Sequence, residues 1–154
     1  MNKSIRNFKQ GAQAGFTLIE LVVVIVILGI LAATAIPRFI DMASQARVAK
    51  LNAARGTLQS AAALAHAQWV VTGSTAGTVS MEGTNNVAMT FGYPSEVGIL
   101  AAANLSGTDY STTTNGTVVS VSENPARANC FVTYTAATAL NSPPVVSPPT
   151  TTGC

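Results

Sequence analysis

The chain has 154 residues, of which 48% are hydrophobic and 9% charged, with eight basic and six acidic side chains for a formal charge of +2. That length suits one domain, and so sparse a charge disfavours nucleic acid as a partner, which calls for a basic stripe. One histidine, no paired carboxylates, no phosphate-binding loop and no nucleophile elbow leave no catalytic constellation, so neither enzyme activity nor a cofactor is expected.

Residues 1–15 contain Lys3, Arg6 and Lys9, no acidic residue, and end in Gly15. They read as a processing segment that lies outside the fold. Without them five basic residues face six acidic ones, a net charge of −1. Next come Phe16-Thr17-Leu18-Ile19-Glu20 and an apolar run from Leu21 to Ile36. At about 1.5 Å per residue, Phe16–Ile36 spans about 31 Å as a helix, matching a hydrocarbon core of about 30 Å. The run is apolar all round, so lipid or other apolar helices must surround it. Glu20 is the exception. A carboxylate at a bilayer centre costs roughly 2.5–3.5 kcal/mol on insertion scales, so it calls for a partner, unless it snorkels to the interface. An ordinary secretory signal is the plainer reading, since Ala32, Ala33 and Ala35 imitate a small-residue cut site. A discarded signal, however, has no use for Gly15 before Phe16 or for Glu20.

The string GFTLIELVVVIVILGILAATAIP resembles the N-terminus of type IV pilins and their pseudopilin relatives. The likeness covers the N-terminal third of the chain. It implies cleavage between Gly15 and Phe16 by a prepilin peptidase, and N-methylation of Phe16. It also implies that Glu20 meets the α-amino group of a neighbour's Phe16, fixing axial register as buried polar groups do in some coiled coils. The expected course is an inner-membrane precursor, then a homo-oligomeric helical filament built by the pilus assembly machinery and displayed outside the cell. Gly29 and Pro37 bracket a weak stretch, since glycine costs about 1 kcal/mol and proline about 3 kcal/mol relative to alanine in a helix. Transmembrane helices tolerate both residues, but in pilins the matching segment is often unwound within the filament.

Helical pattern runs from Phe16 to Trp69, with an interruption expected at Pro37. Beyond it Leu51, Ala54, Leu58, Ala61 or Ala62, Ala65 and Trp69 recur at three- and four-residue spacing, one face of an amphipathic helix. Arg47, Lys50, Asn52, Arg55 and Gln59 populate the rest. The small side chains of Ala61–Ala63 allow a sheet to approach closely. His66, in this Ala-rich stretch, reads as a surface or interface residue.

After Thr72-Gly73-Ser74 the composition shifts to Gly, Ser, Thr and Asn. Thr78–Met81 and Val87–Phe91 form an expected hairpin around Gly83-Thr84-Asn85-Asn86. Pro94-Ser95-Glu96 opens a short helix over Val97–Leu105. Thr117–Val121 and Cys130–Thr135 read as strands, with Asn115-Gly116 as a turn. The Pro-rich stretch Ser142–Pro149 is expected to run in polyproline geometry. The fold class is therefore α+β: a long N-terminal helix over residues 16–69, its apolar half (16–36) protruding, packed on a small antiparallel sheet of three to five strands within a β-rich domain of residues 70–154.

The pilin likeness places Cys130 and Cys154 in an exported domain, where an even pair argues for a disulfide. The pair resembles the C-terminal disulfide loop of type IV pilins, here residues 130–154. Two thiols and a remote histidine do not make a metal-ligand set. Phe91-Gly92-Tyr93-Pro94 followed by Gly98-Ile99-Leu100, together with Asn129–Thr135, resembles major pilins of the mannose-sensitive haemagglutinin type. The leading reading is the major subunit of a type IV pilus used in adhesion, biofilm formation or motility. A type II secretion pseudopilin is the alternative. Major pseudopilins commonly carry a C-terminal calcium site, whereas the late carboxylates here are only Asp109 and Glu123, too few and too scattered for calcium. DNA uptake and electron conduction fare worse. Arg127 is the only basic residue after Arg55, and the mature segment has only eight aromatic residues.

Overall fold

The computed structural model describes residues 15–105 and 107–154. The processing segment read over residues 1–15 therefore lies, Gly15 excepted, outside the described residues. The chain divides into two compact units, Met1–Ile40 and Asp41–Cys154.

One helix dominates: α1, Leu18–Val71, 54 residues long. Thr17 begins it. Its carbonyl accepts the first helical bond, from the Leu21 N–H at 3.3 Å, and its hydroxyl accepts the Glu20 N–H at 3.3 Å, which satisfies one of the donors a helix start leaves orphaned. Within the first unit the apolar side chains from Phe16 to Ile40, Ala35 excepted, are solvent-exposed, Phe16 at 87% and Ile30 at 65%. The segment is long and apolar enough to cross a membrane, and none of its most apolar window is buried.

The interruption expected at Pro37 is absent, because α1 is assigned continuously through it. A proline removes one backbone bond, from its own nitrogen to the carbonyl four residues back. The residues on either side of Pro37 keep their own helical bonds, and Thr34 Oγ1 adds a 3.0 Å bond to the Leu31 carbonyl.

In the second unit the stripe read from spacing is the buried one: Leu51, Ala54, Leu58, Ala61, Ala62 and Ala65, with Trp69 partly buried beside it. In place of one sheet there are two. A three-stranded sheet runs in the order β1 (Thr78–Met81), β2 (Thr84–Thr90) and β3 (Tyr93–Pro94). A four-stranded one runs β4 (Tyr110–Asn115), β5 (Val118–Arg127), β6 (Cys130–Thr135) and β7 (Val145–Val146). All pairings are antiparallel between sequence neighbours. The short helix α2, Glu96–Ala103, joins the two sheets. Its cap is Ser95, whose hydroxyl accepts the Gly98 N–H at 3.1 Å.

Strand register explains the core. Val119 pairs with Tyr134 and Val121 with Val132, so two cross-strand pairs present one face. That face meets Ala54, Leu58, Ala61 and Ala62 of α1 and Ile99 and Ala103 of α2. Each fully buried Leu, Ile or Val contributes about 1.5–3 kcal/mol, and the alanines let helix and sheet approach. A second cluster, Ala65, Val79 and Val87, seats the three-stranded sheet on α1. Gly98 is a point of close backbone approach. A side chain there would run into the Ala88 carbonyl of β2.

Candidate functional site

The sequence-read residues fall into two groups. The first lies at the start of α1. Gly15, Phe16 and Glu20 are all exposed, and Phe16, Glu20, Leu21 and Val24 line one shallow hollow. Thr17-Leu18-Ile19-Glu20 has the Thr-x-x-Glu spacing of a capping box, and the Glu20 N–H to Thr17 Oγ1 bond is its first half. Glu20 also stands in the first helical turn, where the helix dipole favours a negative charge by about 0.3–1 kcal/mol. Local helix starting is thus one task of this pair, a role the sequence reading missed although the four-residue spacing signals it. It does not account for a carboxylate in a stretch whose other side chains are apolar and exposed. Gly29 lies further along the same exposed stretch, with open space where a side chain would be.

The second group sits in the β-rich unit. Cys130 and Cys154 are bonded to each other. Cys130 is buried in β6, and the segment returning to it pairs Thr150 with Phe131 through 2.8 and 3.2 Å bonds. The Pro-rich stretch is not polyproline throughout. Val145–Val146 forms β7 against Tyr134 and Thr135, and the Ser147 hydroxyl lies 2.7 Å from that of Thr133.

Sequence reasoning placed Arg47 and Lys50 only outside the apolar stripe of the helix. Both converge on Glu123, at 3.6 Å each. The signal was available in outline, as two cations one helical turn apart and few late carboxylates. His66 is a packing residue. Its ring stacks on Tyr93, with centroids 4.2 Å apart, and its Nδ1 lies 2.7 Å from the Gly92 carbonyl. Gly92 adopts φ +85° and its Cα faces the Trp69 ring, 2.8 Å from where a Cβ would stand, so glycine is required there on two counts. Trp69 Nε1 donates to the Ala76 carbonyl at 3.0 Å.

Residues 11–36 match the prokaryotic N-terminal methylation motif. Over 54 residues the chain is 54% identical to the type IV narrow pilus major component PilA5 of Thermus thermophilus, a match covering 35% of this chain and 47% of that protein. It is 47% identical over 51 residues to a fimbrial protein of Pseudomonas aeruginosa, 33% of each chain. The chain thus spans about half, or less, of the length of the curated relatives it matches. No solved structure matches the chain. A long N-terminal helix with small antiparallel sheets defines an α+β architecture of the type IV pilin kind. The N-terminal segment itself is similar to those of these pilus and fimbrial proteins.

Proposed function

We propose that this chain is the major structural subunit of a bacterial surface type IV pilus. The observation that carries the proposal is the pairing of a methylation motif over residues 11–36 with an apolar helical segment left entirely exposed around Glu20. Apolar surface on that scale requires lipid before assembly and other helices after it. In this reading residues 1–15 are a leader removed by a prepilin peptidase, and Phe16 becomes the methylated N-terminus. Residues 16–69 are the helix that polymerises, and residues 70–154 form the domain displayed on the fibre. Glu20 meets the Phe16 amine of a neighbouring copy, and Gly29–Pro37 is the segment that yields when copies pack. The subunit waits in the inner membrane and ends outside the cell, where the fibre serves adhesion, biofilm formation or motility. No catalytic role belongs to it. The name of the Thermus relative, a pilus major component, supports the pilus over the secretion pseudopilin. The finer reading as a mannose-sensitive haemagglutinin type pilin rests on Phe91–Pro94 with Gly98–Leu100 and on Asn129–Thr135.

Removing the chain from cells tests the proposal. Surface fibres should disappear, and fibres sheared from unmodified cells should consist mainly of it. Fibres of unchanged yield and composition in its absence would refute the major-subunit role.

A further inference from the structure

Segments far apart in sequence meet on one turn of α1. Arg47 Nη1 donates a 2.7 Å hydrogen bond to the Cys154 backbone oxygen, across 107 positions. Arg47 Nε and Lys50 Nζ each lie 3.6 Å from a different carboxylate oxygen of Glu123 in β5. Lys50 Nζ also stands 5.2 Å from the centre of the Tyr110 ring in β4, and the Tyr110 hydroxyl donates to the Lys50 carbonyl at 3.5 Å. The fully buried residues of α1 begin only after this turn, at Leu51. Polar contacts therefore hold this turn where no apolar side chain is yet fully buried.

We propose that the Cys130–Cys154 disulfide is a redox latch. It fixes the acceptor on Cys154 and so locks the Arg47–Lys50 turn of α1 to the four-stranded sheet. Cys130 lies in β6 with no exposed surface. Past Thr150, the described backbone bond reaching outside the returning segment is Gly153 N–H to the Asn129 carbonyl at 3.0 Å. The disulfide adds a covalent tether at the residue that carries the acceptor for Arg47. A guanidinium bond is strong when its acceptor is already ordered. Once the acceptor moves, ordering both partners opposes the bond. The Glu123 pairs are a quarter to a third exposed and contribute little singly, so they do not replace it. Reduction by a dithiol transfers two electrons and two protons to the S–S bond, yielding two cysteine thiols and the cyclic disulfide of the reagent. The consequence is that the base of the β-domain's helix becomes rigid only in the oxidised chain, whether or not the chain forms a filament.

Hydrogen exchange on the full chain in detergent micelles, with and without dithiothreitol, tests the latch. Reduction should speed exchange of the amides of residues 44–51 by about tenfold or more, the loss expected for a hydrogen bond to a charged group. Arg47→Gln with the disulfide intact should do the same while residues 128–154 stay protected, and reducing that variant should add nothing at 44–51. Acceleration confined to residues 128–154 on reduction overturns the proposal. So does a Glu123→Gln variant that reproduces the whole Arg47→Gln effect, which would assign the hold to the ion pairs. If reduction loosens every segment, the oxidised Arg47→Gln variant decides: fast exchange at 44–51 supports the latch, and the wild-type rate overturns it.

Discussion

Tyr134, at the centre of the four-stranded sheet, donates a 2.6 Å hydrogen bond to the carbonyl of Pro94, the last residue of the three-stranded one. Both residues are fully buried, so this bond joins the two sheets inside the core. Burial pushes the Tyr134 phenol above its ordinary value near 10, and the negative charge of Glu96 acts in the same direction. The folded chain thus holds a proton that the unfolded chain releases at about pH 10. Stability from this group is complete below about pH 10 and is lost as pH rises toward the folded-state value, at up to about 1.4 kcal/mol per pH unit. Tyr134→Phe should cost about 1–3 kcal/mol, because the Pro94 carbonyl is left unsatisfied, and should flatten the Tyr134 part of the alkaline slope. Denaturant titrations between pH 8 and roughly pH 11 read both effects. An unchanged alkaline slope in the variant would show that Tyr134 does not titrate as described.

The seam between α2 and β2 gives a steric prediction. Gly98→Ala should destabilise the β-rich unit by about 1–3 kcal/mol, the usual cost of overpacking, because its side chain meets the Ala88 carbonyl. Ser95→Ala should cost about 1 kcal/mol through the lost cap. Urea midpoints measure both. A Gly98→Ala variant as stable as the parent would mean that α2 can shift on β2 at no cost.

Glu20 and Thr17 can be separated. Glu20→Ala should leave membrane insertion intact and reduce fibre yield by at least about tenfold, the scale of a lost buried charge pair. Thr17→Val removes the hydroxyl that accepts the Glu20 N–H, and its effect should be confined to about 1 kcal/mol of helix starting. Yield of sheared fibre and the fraction of chain in the membrane are the two readings. Equal assembly defects in both variants would reduce Glu20 to a helix-capping residue.

The Gly29–Pro37 stretch makes a claim about the fibre, since the single chain is helical through it. In an assembled filament this stretch should lack continuous α-helical bonding, while Ala43–Trp69 stays helical. Pro37→Ala restores the missing donor, worth about 3 kcal/mol to the helix, and should straighten the stretch. A resolved wild-type fibre with unbroken helix across Gly29–Pro37 would contradict the claim.

Elements with a strong period were legible in the sequence. The buried stripe from Leu51 to Ala65 follows the 3.6-residue repeat, and β1 and β6 have the bounds read from their alternation. Strand β4 was not legible, because past Tyr110 and Ser111 its residues Thr112, Thr113, Thr114 and Asn115 are all exposed, and such a run leaves no apolar alternation. Strands β3 and β7, two residues each, are defined by their partners rather than by their own residues. The short helix between the two groups of strands was legible from Pro94-Ser95-Glu96, but whether the strands on its two sides share one sheet depends on long-range pairing, which leaves no local signal. At the candidate site, the cost of Glu20 was readable because one charge stands out in an apolar run. The Arg47–Cys154 contact was not, since hydrogen bonds across 107 positions leave no trace in spacing.

The intact mass of the subunit in fibres sheared from cells tests the central claim most directly. The account predicts that the dominant species is residues 16–154, heavier by the one CH2 that N-methylation adds and lighter by the two hydrogens of the disulfide. Fibre subunits that keep residues 1–15, or fibres from which this chain is missing while it stays in the cell envelope, would contradict it.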